Sequence, residues 1–341
     1  EGGEGNDHLR DEYGTNSIVG GAGSDQIYIS ASEMFIDGGS VDGNSAFADG
    51  GADNDNIYFG SLQNQATIIG GAGGDYIRQQ GFNSQLGYMK DVTIFGDQLS
   101  GESINDGNDD IGITSGRVAS VVAGGGDDNV SVSNYSAATL DGGTGNDTLY
   151  LRVEDPSGIT GPTGGDFFVS GGEGNDELTL SFYARYFADY YYYPLTIVFD
   201  GGSGNDVLSI HRGDTPSASN RSYIPSLIFK GGEGDDTLRV TNHVKDLTLE
   251  GGSGSDTFEI TKVNLFNKEY WETHRHDVNN QPITDTSFII TDFQAGVGGD
   301  FLDISALLPA LTSNYSGNNP FQDYVYFTAV GTDAVLSVDI D

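Results

Sequence analysis

Aspartates recurring at a fixed offset behind glycines are the residues of this chain best suited to chemistry. The hexapeptide Gly-Gly-x-Gly-x-Asp occurs in eight regular copies, beginning at Gly2, Gly20, Gly70, Gly142, Gly171, Gly201, Gly231 and Gly251. They end at Asp7, Asp25, Asp75, Asp147, Asp176, Asp206, Asp236 and Asp256. Looser copies end at Asp55 (GGADND), Asp128 (AGGGDD) and Asp300 (AGVGGD). Carboxylates and backbone carbonyls are the hard oxygen donors that calcium takes in sixes to eights. Glycine permits positive φ and lets carbonyls turn toward a cation. These aspartates are therefore the candidate metal ligands, and Ca2+ is the expected ion.

The elements that position them read as strands. In LTIVFDGGSGNDVLSI (195–210) an apolar run, Leu195 to Phe199, enters the motif and Val207 to Ile210 leaves it. After the motifs, apolar residues stand two apart, as at Ile57 and Phe59, Leu149 and Leu151, Leu178 and Leu180, and Phe258 and Ile260. Side chains two apart on a strand share a face, so these point inward. One turn of strand, loop and strand cannot bury its apolar side alone, whereas stacked turns share a continuous thin core. The sequence thus predicts an all-β fold: a parallel β-roll or β-solenoid of about eleven turns, a rod on the order of 55 Å long at the strand spacing of a sheet. Stacking also brings the motif aspartates about 5 Å apart, where each like-charged pair costs roughly 1 kcal/mol at the dielectric of water. A divalent ion between neighbouring loops reverses that sign.

GGEGNDELT (171–179) and GGEGDDTLR (231–239) resemble the RTX family of calcium-binding repeats, whose nonapeptide reads GGxGxDxUx with U apolar. The resemblance covers most of the chain. It implies six-residue turns holding calcium between stacked loops of a parallel β-roll.

The chain departs from that pattern in its spacing. Regular arrays carry calcium loops on both sides, nine residues apart, whereas regular copies here lie 18, 20, 29 or 30 apart, and 50 and 72 apart where looser copies intervene between Gly20, Gly70 and Gly142. One calcium-bearing edge and one edge of variable loops are expected, the latter including 30–34, 60–66, 78–91, 133–137, 152–166, 181–194, 211–226, 241–246 and 261–287. Two calcium-side loops, 37–55 and 96–110, read as expanded and too degenerate for ligands to be assigned. Most basic residues fall in or beside the variable loops. Within SFYARYFADYYYYP (181–194), Tyr190, Tyr191, Tyr192 and Tyr193 form either a contact patch for glycan, protein or a second copy, or a flap over the roll. Trp271, His274 and His276 sit in 261–287 near Glu272 and Asp277. Their spacing fits no zinc signature, so a solvated loop is the preferred reading there.

Composition sets the outer bounds. Among 341 residues, 51 acidic against 14 basic side chains leave a formal charge of −37, about 20 of which about ten calcium ions would cancel. That sign argues against nucleic acid and anionic membrane surfaces as partners. Cysteine is absent, which excludes disulfides and thiol chemistry. No apolar run approaches the roughly 18 residues of a membrane span. Neither an HExxH nor a GxSxG motif occurs, and the five histidines are scattered but for 274 and 276, so no catalysis is expected within the chain. No signal peptide is visible and residue 1 already lies inside a repeat, as in a piece of a longer protein.

Two segments follow: a roll over 1–287 and a cap over 288–341, in which Ile304 to Leu311 read as a short amphipathic stretch and 324–330 and 334–340 as β-rich. Terminal units of repeat proteins are usually atypical caps. TDFQAGVGGDFLD (291–303) and GTDAVLSVDID (331–341) also resemble the region preceding the signal of bacterial type I-secreted proteins. The resemblance implies a calcium-folded module of a large secreted bacterial adhesin or surface-layer-like protein. The alternatives are a glycan-, protein- or ice-binding module, and the secretion domain of a hydrolase whose catalytic domain lies upstream. A regular threonine ladder would favour ice, and none is apparent in the sequence.

Overall fold

The computed structural model describes residues 1–11, 17–29, 46–60, 65–79, 89–97, 107–154, 165–183, 196–212, 226–240, 247–261, 288–307, 325–330 and 333–338. Strands after each motif, such as Asn56–Phe59, Glu177–Tyr183 and Thr257–Ile260, stack in parallel as one face. Strands running into the motifs, such as Gln65–Ala72, Phe167–Glu173 and Leu247–Ser253, stack as the other. Asp110–Gly125 and Asn129–Thr144 span both faces, so the whole is hydrogen-bonded as a single 22-stranded sheet wound on itself. The expected parallel β-roll is the fold.

Register is locked by the motifs. Gly143 pairs with Gly172, Gly172 with Gly202, Gly202 with Gly232 and Gly232 with Gly252, although these residues are 20 to 30 apart in sequence. Because a one-residue slip would turn every inward side chain outward, this alignment holds the core in place. Each turn adds about four core side chains: Phe167, Val169, Leu178 and Leu180 in one, Leu227, Phe229, Leu238 and Val240 in another, all buried. Phe199 and Phe229 meet with ring centroids 5.2 Å apart.

Two loop expectations need correction. Residues 133–137 are not an excursion: they lie inside the strand Asn129–Thr144, which turns the corner through Asn134 at φ 60°. The preceding turn does so through Ser115 at φ 71°. A buried polar group fills this corner. Gln79 Oε1 accepts from Thr114 N (2.8 Å) and Tyr135 Oη (3.1 Å), and Gln79 Nε2 donates to Ser115 O (3.4 Å). Burial pushes the Tyr135 hydroxyl well above the usual phenol range, keeping it a donor. Tyr135→Phe should cost about 1 kcal/mol, one buried hydrogen bond with Thr114 N still satisfying Gln79. Tyr135→Ala should cost about 3–5 kcal/mol for the lost ring. Denaturation midpoints in calcium would show this, and equal losses would put the whole effect on the hydroxyl.

The second correction concerns 37–55. The turn itself, Gly50 to Asp55, has regular length, and Gly51 pairs with both Gly21 and Gly71. Asp53 stands at the fourth position in the left-handed region (φ 69°), where the regular motifs have glycine.

At the C-terminal end, Phe288–Ile290 and Phe301–Asp303 add the last parallel strands, and Ser305–Leu307 form a single 3-10 turn within the predicted amphipathic stretch. Val325–Val330 and Asp333–Val338 make a separate antiparallel hairpin. Tyr190, Tyr191, Tyr192, Tyr193, Trp271, His274 and His276 lie outside the described residues.

Candidate metal ladder

All the aspartates singled out by the motif fall on one line along one edge of the roll. Each offers its side chain to the backbone of the turn before it: Asp7 N donates to Asp25 Oδ1, Asp25 N to Asp55, Asp55 N to Asp75, and so on through Asp256 N to Asp300, at 2.6 to 3.0 Å. From Asp25 onward, one oxygen of each carboxylate is thus spent on holding the stack.

The other oxygen is left over. Oδ2 of Asp7, Asp25, Asp55, Asp75, Asp109, Asp128, Asp147, Asp176, Asp206, Asp236 and Asp256 is buried with no hydrogen-bond partner. An orphaned carboxylate oxygen is costly to bury, and here the cost recurs turn after turn. The orphan is packed against the first glycine of its own turn. A Cβ on Gly171 would collide with Asp176 Oδ2 and with the carbonyl oxygen of Gly201 in the next turn. Carboxylate oxygen and carbonyl oxygen therefore converge beside each first glycine, and the same convergence recurs at Gly20, Gly50, Gly70, Gly142, Gly201 and Gly231. The donor set fits a hard cation bound by oxygen.

Among the described residues, no three or more His, Cys, Asp or Glu side chains gather as a metal-binding group. A cation here would draw one carboxylate from a turn and complete its shell from backbone carbonyls. That distinguishes the ladder from a cage of acidic side chains.

The electrostatics match the geometry. Burial, followed by the charges of neighbouring carboxylates, outweighs the stabilising amide bond and raises these acids. Asp147 and Asp206 are pushed up to about 6, Asp55, Asp128 and Asp236 to about 7, Asp75 to about 8 and Asp109 to about 9. Burial also raises Asp176 and Asp256.

The other motif positions have separate tasks. The second and fourth glycines take positive φ, for example Gly202 at 108° and Gly204 at 129°. A Cβ on either would strike the carbonyl of the turn before it, Gly172 and Gly174 respectively. The fifth position makes an outer ladder running the opposite way. Asn146 Oδ1 accepts from Asn175 N, Asn175 Oδ1 from Asn205 N, Asn205 Oδ1 from Asp235 N and Asp235 Oδ1 from Ser255 N. This second, exposed ladder is a role that the sequence reading did not assign.

Asp109 was missed as well. Its turn reads Gly96-Asp97, then residues 98–106, then Gly107-Asn108-Asp109, so nine residues stand where the motif has one at its third position. Asp75 N donates to Asp109 Oδ1 and Asp109 N to Asp128 Oδ1, at 2.7 Å each, so the ladder runs through unbroken. Gly-Asn-Asp followed by Ile111 and Ile113, both buried, is the signal that could have found it.

The last turn differs. Asp300 Oδ1 continues the ladder, but its Oδ2 accepts from Gln294 N (2.7 Å). Asp292 accepts from Gly251 N and Gly252 N through its two oxygens, closing the end of the glycine rows.

Fold and ladder together define a class: a parallel β-roll whose glycine-aspartate turns line one edge with inward carboxylates. The model of the RTX calcium-binding nonapeptide repeat matches this chain in four copies, within residues 1–28, 132–151 and 198–213. No curated protein and no solved structure matches the chain. Among the described residues no helix is long and apolar enough to cross a membrane.

Proposed function

We propose that the chain is a calcium-folded module of a large secreted bacterial adhesin or surface-layer-like protein, folding once it reaches calcium outside the cell. The motif aspartates from Asp7 to Asp256, with Asp109 among them, are its ligands, assisted by first-position glycine carbonyls. Asp300 serves mainly as the capping member. One observation carries the reading: the same carboxylate oxygen is buried and unpartnered in turn after turn. A chain with a formal charge of −37 resists compaction until those oxygens are neutralised.

Sites with dissociation constants of about 10⁻⁴ to 10⁻³ M stay empty at cytosolic calcium and fill outside. Each stabilises the fold by roughly 1.4 kcal/mol at tenfold excess over its dissociation constant. About ten such sites add up to the whole stability of a typical domain. Extrusion through an export channel is compatible with this, because the chain leaves unfolded. Far-UV circular dichroism during a calcium titration at neutral pH should show β-structure appearing cooperatively near millimolar calcium and vanishing on chelation. β-structure indifferent to chelator would refute calcium-driven folding.

A further inference from the structure

We propose that the cation position at Asp109, beside Gly96, is the highest-affinity one of the ladder, because Asp97 brings a second carboxylate to it. This rests on the calcium reading above and deepens it. In the regular turns the second position is glycine held at positive φ, and past the first turn a Cβ there would strike the turn before. At the interrupted turn that position is Asp97, and its Oδ2 accepts from Gly125 N in the following turn (2.7 Å). The substitution puts a charge where the other turns have none.

The surroundings are those of an ion site. Asp109 Oδ2, buried and unpartnered, faces Gly96, where a Cβ would collide with it and with the carbonyl oxygen of Ala123. Asp97 Oδ2 stands where a Cβ on Gly124 would be, one residue along from the Ala123 carbonyl. Its charge acts on Asp75, Asp109 and Asp128, the ladder members of three successive turns, each only 2% exposed with Oδ2 unpartnered. Calcium affinity rises with the number of charged ligands. One further carboxylate within a few ångströms of a divalent ion changes its binding roughly tenfold even at the dielectric of water.

The competing role for Asp97 is purely structural, an acceptor for the Gly125 amide. Asp97→Asn keeps an acceptor and removes the charge, which separates the two. Isothermal titration of the full chain with calcium alone should show one step tighter than the rest. Asp97→Asn and Asp97→Gly should each weaken that step about tenfold while leaving the weaker class intact. Asp141→Asn, which removes a half-buried carboxylate beside another motif, should leave the tight step unchanged. Circular dichroism in saturating calcium checks that each variant folds. A tight step that survives in Asp97→Asn, or its absence from the wild-type chain, overturns the proposal while the calcium ladder stands. A wild-type chain that takes up no calcium overturns the ladder reading itself.

Discussion

Stripped of calcium, the roll is expected to be more stable at pH 5 than at pH 8, and saturating calcium should reverse that order. The sign follows from the raised carboxyls. An unfolded aspartate titrates near 3.9, whereas burial pushes Asp147 and Asp206 up to about 6 and Asp109 up to about 9. Below the unfolded value both states carry the proton and nothing is lost. As pH rises, the unfolded chain ionises first while the folded chain must keep its protons. Stability therefore drains away between about 4 and 9, at up to about 1.4 kcal/mol per pH unit for each group that lags. Calcium binds the ionised form, so at high pH it takes over from the proton. In acid the two compete, and calcium loses its hold.

The measurement is far-UV circular dichroism of chelator-stripped protein at pH 5 and pH 8, where β-structure should persist at the lower pH and be lost at the higher, with urea midpoints compared at both pH values in millimolar calcium. pH 5 avoids the isoelectric point near 4.1, where association would interfere. A calcium-free roll that is as stable at pH 8 as at pH 5 would mean the ladder carboxylates are solvated after all. The orphaned oxygens would then not be the reason for calcium dependence.

Gly202→Val is expected to be the most damaging single substitution in the middle of the roll. Gly202 holds φ at 108°, a conformation that β-branched residues essentially never adopt. A Cβ there meets the carbonyl of Gly172, which is backbone locked in the stack and cannot rotate away. Strain of about 1–3 kcal/mol at the dihedral adds to the cost of prising two turns apart. Because neighbouring turns are the only contacts a repeat has, the fault is not diluted over a large core. Loss of more than about 3 kcal/mol is expected, with the calcium midpoint for folding moved upward. Asn205→Ala should be far milder, since it removes only an exposed acceptor of the outer ladder. Equal losses in the two variants would mean that the glycine row does not set the stacking distance.

The legible part of the fold is the part that repeats. Apolar residues two apart marked the inward faces, and Ile57, Phe59, Leu178, Leu180 and Phe258 are all fully buried. Glycine-aspartate copies recurring once per turn placed the aspartates along one edge, because the motif returns in register only when a whole turn has been completed. Where the repeat is disturbed, sequence reading faltered. Residues 37–55 read as one expanded loop, yet Gly50 to Asp55 is a turn of regular length in which Asp53 takes the left-handed conformation that aspartate tolerates. Asp109 was passed over because residues 98–106 separate the two halves of its motif.

The sequence by itself determined the period, the aspartates that supply oxygen donors and the inward faces, since each depends on residues within a few positions of one another. Only the tertiary structure decided which oxygen of each aspartate is tied to the stack and which is left over. The same holds for Asp109 carrying the ladder through a broken motif, and for Asp97 accepting from the Gly125 amide of the next turn. Those outcomes depend on partners 18 to 44 residues away, brought together by parallel stacking. No local pattern records such a distance, because the intervening loop can be any length that lets the next turn settle on the last.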